Sequence, residues 1–322
     1  MLVRTAALIS ALAAFPAAGA PVLEQPIDCV LGETCYIQNY VDSDPSEKWS
    51  DFACGGLSYD GHKGTDFALP THSDIQRGVD VLAAAAGTVV GTRDGMADAI
   101  LTPDQLDSVN GRECGNGVAI DHGDGWVTQY CHMKRGSILV TKGDSVATGA
   151  PLGQVGLSGK TQFPHVHMSL RHDGQVIDPF APTRSGADCS TEPQETLWKD
   201  DPGYVAGGII RLGFATEVPS FDDVKSGAAG MDSLSEDDPA LVLFVQAFGS
   251  RTVDEISIEI NGPDGFRVTY LGDVEKPKVL YFRAAGKKRP PNGWARGTYR
   301  GAVTLIRDGQ AYATEEKTLK RN

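Results

Sequence analysis

In Pro164-His165-Val166-His167-Met168-Ser169-Leu170-Arg171, polar and apolar residues alternate from His165 onward, the period of a β-strand, and both imidazoles fall on one face. Two rings so spaced can hold or flank one ion. On its own an H-x-H strand is more often an ordinary half-buried pair. Upstream, however, Gly61-His62-Lys63-Gly64-Thr65-Asp66-Phe67 offers a histidine and a carboxylate four residues apart, and His132 closes the run Trp126 to His132. Two imidazoles and a carboxylate on Zn²⁺ leave a fourth position for water, the arrangement of a hydrolytic rather than a structural zinc site. One Zn²⁺ per chain is expected.

Working outward, further strand-like runs separated by glycine turns span Val79 to Ala84, Gly87 to Thr92, Gly117 to Asp121, Ser137 to Val140, Pro151 to Gly156 and Gln175 to Asp178. This predicts an antiparallel, all-β domain. The stretch between Thr92 and Cys114 breaks the pattern and reads as an inserted loop with a helical turn, placed to overhang a cleft. Residues 191–205 form a connector rich in Glu, Asp and Pro. Beyond it, runs from Ile209 to Phe214, Ala240 to Phe248, Glu255 to Ile260, Phe266 to Tyr270, Val279 to Arg283 and Tyr299 to Ile306, with hairpin turns at Asn261-Gly262 and Asp308-Gly309, predict an immunoglobulin-like β-sandwich over 206–322. Its Trp294 and Tyr299 read as core aromatics rather than a sugar platform.

The chain has 322 residues and a net charge of −13, which argues against nucleic acid or anionic lipid as a partner held through a general positive field. A local basic site stays open. Residues 1–20 carry Arg4, an apolar run from Ala6 to Phe15 and a small-residue end, the layout of a secretory signal peptide with cleavage after Gly19 or Ala20. That run is too short to span a bilayer, and no later segment is suited to it. An exported chain, periplasmic or secreted, follows. Its six cysteines then read as disulfides. The hairpin around Gly123 sets Cys114 opposite Cys131; Cys29 with Cys35 would close a lead-in loop over 21–59, and Cys54 with Cys189 would tie the start of the next domain to its end.

The stretch from Asp60 to Asp178 resembles the lysostaphin-type (LytM-type) peptidoglycan endopeptidases, and the domain so delimited is 60–190. Gly61-His62-Lys63-Gly64-Thr65-Asp66 looks like that family's H-x-x-x-D segment, Gly117 to Trp126 with Tyr130-Cys131-His132-Met133 like its central hairpin, and Gly156-Leu157-Ser158-Gly159 to His167 like its last turn and H-x-H strand. The resemblance implies His62, Asp66 and His167 as zinc ligands and His132 and His165 as the catalytic pair beside them. Lys63, where the family often has Arg, the insertion around Ala97 to Arg112 and Cys131 beside His132 are departures. His72 and Tyr130 are expected to contact substrate; His122 and His172 are expected to be structural or exposed. The expected function is zinc-dependent hydrolysis of peptidoglycan stem or cross-bridge peptides, with the C-terminal domain orienting the enzyme or engaging a protein partner. The rivals are a silent relative that binds wall or activates another hydrolase, and an adhesin-like protein whose working part is the sandwich.

Overall fold

The computed structural model describes residues 19–183 and 195–322. Most of the predicted signal peptide, and Cys189, lie outside these residues. The named strands of the described part pair antiparallel in every sheet. In the N-terminal half run β1 (Tyr36–Asn39), β2 (Thr65–Ala68), β3 (Asp80–Leu82), β4 (Gly87–Arg93), β5 (Asn116–Gly123), β6 (Trp126–Met133), β7 (Ser145–Val146), β8 (Pro151–Gln154), β9 (His165–His172) and β10 (Gln175–Ile177). The main sheet has the order β1-β2-β9-β6-β5-β4-β7, with β10 on β9, and β3 pairs with β8 apart from it. Val166, Met168 and Leu170 of β9 enter the core with Phe67 and Tyr130, as the alternation demands.

Two local features of this sheet decide the site. The lead-in segment contributes β1, the edge strand beside β2, so it belongs to the sheet. At the end of β6 the ladder steps from Val118↔Tyr130 to Asn116↔Met133, so Cys131 and His132 face the single Gly117. This is a β-bulge, and His132 takes a left-handed φ of 62° to make it. Cys114–Cys131 is a disulfide across the bulge, and the His132 amide donates to the Cys114 carbonyl at 2.8 Å. Cys29–Cys35 is also bridged, and Cys54 is disulfide-bonded.

The expected strand Ser137 to Val140 is not one. Its amides are used elsewhere: Ile138 N donates to the Asp94 carboxylate and Ser137 N to the Lys134 carbonyl. The hairpin turn falls at Asp124 and Gly125, both with positive φ, one step beyond the expected centre. The insertion carries a 3-10 turn over Pro103–Val109.

The C-terminal half holds β11 (Gly208–Ala215), a short helix α1 (Phe221–Ser226), β12 (Ala240–Ser250), β13 (Glu255–Asn261), β14 (Arg267–Asp273), β15 (Lys278–Lys288), β16 (Gly297–Arg307) and β17 (Gln310–Arg321). Sheets β11-β12-β15 and β14-β13-β16-β17 enclose one core that includes Phe214, Leu243, Ile258, Trp294 and Tyr299. Trp294 and Tyr299 are 2% and 1% exposed, so neither is a surface platform. The Asp308-Gly309 hairpin implied a strand after β16, but no run was read for β17, because Glu315, Glu316 and Lys317 mask its alternation.

The halves are packed together. Tyr204 sits in an aromatic box with Tyr40 and Phe52, its hydroxyl donating to Asp51 at 2.8 Å, and Val205 N donates to the Tyr40 hydroxyl at 3.3 Å. Aromatic contacts of this kind contribute about 0.5–1.5 kcal/mol each beyond area burial. Phe248 of β12 packs on Tyr36 of β1 at 4.7 Å, and Gln246 Nε2 donates to the Pro70 carbonyl.

Candidate metal centre and active site

Strand register assembles the centre. Asn39, Asp66 and His167 lie in register across β1, β2 and β9, so the Asp66 carboxylate is beside His167 on one side and Asn39 on the other. His62 enters from the loop before β2. Asp66 Oδ1 lies 2.8 Å from His167 Nδ1, 3.1 Å from His62 Nε2 and 3.4 Å from His165 Nε2. His62 Nε2 is 3.1 Å from His167 Nδ1. Asn39 Nδ2 donates to Asp66 Oδ2 at 2.8 Å, fixing the carboxylate's rotation. His62, Asp66 and His165 are buried, and the His167 side chain is 16% exposed toward the cleft.

The hydrogen bonds behind each ring orient it. His62 Nδ1 donates to the Tyr40 carbonyl at 2.7 Å, which leaves the Nε2 lone pair facing inward. His165 Nδ1 donates to the Phe163 carbonyl at 2.9 Å, with the Phe163 ring stacked on it. His132 Nδ1 donates to the Ser158 carbonyl at 2.8 Å, and its ring lies 4.7 Å from that of His165. Gly64 makes room for His167: a Cβ there would stand 2.6 Å from its Nε2.

With His62 neutral, its Nε2 and Asp66 Oδ1 are both acceptors aimed at one another, so that a proton or a metal ion must lie between them. Such a cluster requires a positive charge at its centre. The ligand atoms of His62, Asp66 and His167 lie within 4.8 Å of one another. Tetrahedral Zn²⁺ bonds of about 2.0–2.1 Å hold their ligand atoms roughly 3.3 Å apart, close to the spacing present, so the three residues fit such an ion.

Electrostatics agrees with the geometry. Burial opposes the Asp66 charge, but His62 and His165 outweigh it and hold the carboxyl well below its usual range. Burial pushes His62 down, and Asp66 more than reverses this, so its pKa is raised. His167 is lowered by burial against the pull of Asp66. His132 is held well below the ordinary imidazole value by burial, reinforced by His165 and His167, and so is neutral at neutral pH.

The sequence-derived set separates here. His62, Asp66, His165, His167 and His132 come together. Tyr130 does not line the cleft: it is 0% exposed, and its hydroxyl accepts from Ala84 N at 2.8 Å in the core. Two residues apart on a regular strand would share a face, but the bulge turns His132 away from it. His72 opens the 3-10 turn His72–Arg77, hydrogen-bonds the Gln162 backbone and faces Asp222 and Lys225 of α1, outside the metal cluster. His122 bridges the Ala86 carbonyl and Thr128 Oγ1, and His172 stacks on Trp126. Sequence reasoning missed Asn39, Tyr40 and Tyr59. Tyr59, 52% exposed, lays its ring against His62 at 4.4 Å. Nothing in the polar lead-in marked these residues, because their roles depend on β1 pairing with β2.

An antiparallel β domain with a His/Asp/His centre and two histidines beside it has the make-up of a metallopeptidase. Residues 60–179 match the profile of Peptidase family M23, so the LytM-type resemblance is borne out over that stretch. The peptidoglycan DD-endopeptidase ShyA of Vibrio cholerae serotype O1 is 33% identical over 117 residues, covering 36% of this chain and 22% of that protein. The DD-carboxypeptidase/endopeptidase Mpg of Neisseria meningitidis serogroup B is 29% identical over 122 residues, 37% of this chain and 22% of that protein. The chain therefore spans about a fifth of the length of these curated relatives. Among solved structures, the catalytic domain of the prophage-encoded M23 protein EnpA from Enterococcus faecalis matches 45% of this chain and 92% of its own at 26% identity and a TM-score of 0.31.

Proposed function

We propose that this chain is an exported zinc-dependent endopeptidase acting on peptide bonds of peptidoglycan stem or cross-bridge peptides. The observation that carries the proposal is the convergence of His62 Nε2, Asp66 Oδ1 and His167 Nδ1 on one point, with the neutral His132 ring and His165 beside it. His62, Asp66 and His167 would hold the zinc, which when bound supplies Lewis acidity to a peptide carbonyl and acidifies a water. With both Nδ1 atoms committed to backbone carbonyls, His132 and His165 each keep Nε2 for the reaction, that of His165 3.4 Å from Asp66 Oδ1. One takes the proton of the attacking water and passes it to the leaving amine; the other donates to the developing oxyanion.

Wall peptide as substrate is supported by the peptidoglycan DD-endopeptidase named among the relatives. Export is supported by the Cys29–Cys35 and Cys114–Cys131 bridges, which persist in oxidising compartments. The C-terminal sandwich is read as immunoglobulin-like, supported by Tyr299 near the start of β16, whose hydroxyl donates to the Ala295 carbonyl at 3.0 Å as in a tyrosine corner. Digestion of purified wall, with the new peptide ends identified by mass spectrometry, tests the reading. Wall left intact by zinc-loaded protein would favour the silent, wall-binding alternative.

A further inference from the structure

His132 owes its place to one irregular step of the backbone. On a regular strand it would follow Tyr130 into the core; the extra residue of the bulge, with φ 62° at His132, turns the ring to the side of His165 instead. A side chain at positive φ is strained, and such strain persists only where the surroundings over-determine it. Here they come from two short segments. Cys114 holds the His132 amide through its carbonyl and Cys131 through the disulfide, while the Ser158 carbonyl accepts from the His132 ring at 2.8 Å. The next residue is clamped as well. The Ser158 hydroxyl donates to the Met133 carbonyl at 2.7 Å and accepts from Asn116 N at 2.9 Å, and Asn116 Nδ2 donates to the same carbonyl at 3.1 Å.

Glycines let these segments come so close. A Cβ at Gly115 would stand 2.5 Å from the Ser158 carbonyl oxygen, and one at Gly117 would stand 3.1 Å from Cys114 Sγ. Of the constraints on His132 the disulfide alone is covalent, and it crosses the bulge itself. The two hydrogen bonds to His132 are of ordinary net strength, comparable with the strain they oppose, so the closed bridge decides the balance. The metal ligands have other supports. Asn39 and the Tyr40 carbonyl back Asp66 and His62, and His167 is held in the β2–β9 ladder as well as beside Cys131.

We propose that the Cys114–Cys131 bridge is the positioning element for His132: closed, it holds the ring at the cleft; opened, it lets β6 relax and removes turnover with the metal still bound. This rests on the endopeptidase reading above and on the proton-handling role given there to His132. Opening the bridge is a two-electron reduction. A phosphine attacks the sulfur of the half-buried Cys114, the S–S bond breaks with Cys131 leaving as thiolate, and water carries the phosphorus to its oxide, so that both cysteines end as thiols.

The test compares the zinc-loaded full chain with Cys114→Ala/Cys131→Ala, and with Cys29→Ala/Cys35→Ala as the control, on a cross-linked stem-peptide dimer. Without the Cys114–Cys131 bridge kcat should fall roughly a hundredfold or more, the scale of acid–base assistance, with KM and zinc content unchanged. The control should keep the wild-type kcat. Adding His132→Ala to the bridge-less variant should cost little more, because both changes remove the same group. In metal-free protein the His132 amide should exchange with solvent about tenfold faster without the bridge, while the amides of β2 keep their wild-type rate. Full kcat without the bridge, zinc lost together with activity, or an additive loss with His132→Ala would each overturn the inference alone. Should the variant fail to fold, phosphine reduction of the folded wild type decides: kcat must fall in step with alkylation of Cys114 and Cys131, with zinc retained. If the oxidised wild type does not cleave the dimer, the endopeptidase reading falls, and the exchange rate of the His132 amide still decides whether the bridge positions it.

Discussion

Replacing Gly64 by alanine tests the metal centre through a single methyl group. Gly64 does not adopt a positive φ, so alanine suits its backbone and the effect is steric. The added Cβ would stand 2.6 Å from His167 Nε2, 2.7 Å from Cε1 and 2.6 Å from the Met168 carbonyl oxygen. Ordinary contact begins near 3.4 Å, so the neighbours must give way by about 0.8 Å. The Met168 carbonyl is main chain, held in the β2–β9 ladder opposite Thr65. The carbonyl clash forces β2 or β9 backbone to shift and the ring clash displaces His167 with it, whereas metal sites tolerate ligand displacements of only about 0.2 Å. Zinc affinity should fall at least 10–100-fold, the range seen when ligand orientation is disturbed, with a stability loss of about 1–3 kcal/mol from overpacking. Chelator competition gives the affinity and thermal unfolding of the metal-free protein gives the stability. Gly91→Ala, at a position with nothing within 4 Å, is the control. Wild-type zinc affinity in Gly64→Ala would refute His167 as a ligand in the orientation described.

Other substitutions divide ligand from catalyst. His62→Ala and His167→Ala should lose zinc and activity together, whereas His132→Ala should keep zinc and lose roughly a hundredfold to ten-thousandfold in turnover; metal analysis beside a rate assay separates the cases. Asn39→Ala, which frees Asp66 Oδ2, should weaken zinc about tenfold with the fold intact, as read by the same competition. Because burial holds His132 below its unfolded value of about 6.5, its neutral form stabilises the protein fully above that pH, and the contribution is lost as pH falls toward the folded pKa. The melting temperature of metal-free protein should therefore drop between pH 7 and 5, and less steeply in His132→Ala; equal slopes would contradict the burial argument.

The site was legible where it depended on local spacing. H-x-H on a period-2 strand and H-x-x-x-D before another gave four of the five clustered residues their neighbours, and the hairpin gave the Cys114–Cys131 bridge. Reading failed where geometry departs from the repeat or depends on distant pairing. Tyr130 was assigned to the cleft because alternation carried it there, and no residue type announces that His132 will take φ 62° and end the alternation. Asn39 and Tyr40 sit in a polar segment with no periodicity of its own; only β1 pairing with β2 brings them behind Asp66 and His62. Charges on both faces of β17 hid a strand that solvent, not the core, mostly surrounds.

The bulge and bridge at the end of β6 also give His132 backbone partners other than those behind His62 and Asp66, although Cys131 of the bridge pairs with His167. The metal-holding residues rest on β2, β9 and the lead-in, through Asn39 and the Tyr40 carbonyl. His132, given the proton-handling role in the proposal, rests on Cys114, Ser158 and the segment braced by Asn116. Loss of the His132 side chain alone leaves the Asn39 and Tyr40 contacts behind Asp66 and His62 untouched. On the proposed function, a lineage of such chains could therefore shed catalysis in one mutational step at His132 and keep a folded shell able to hold metal and peptide, one substitution away from a receptor.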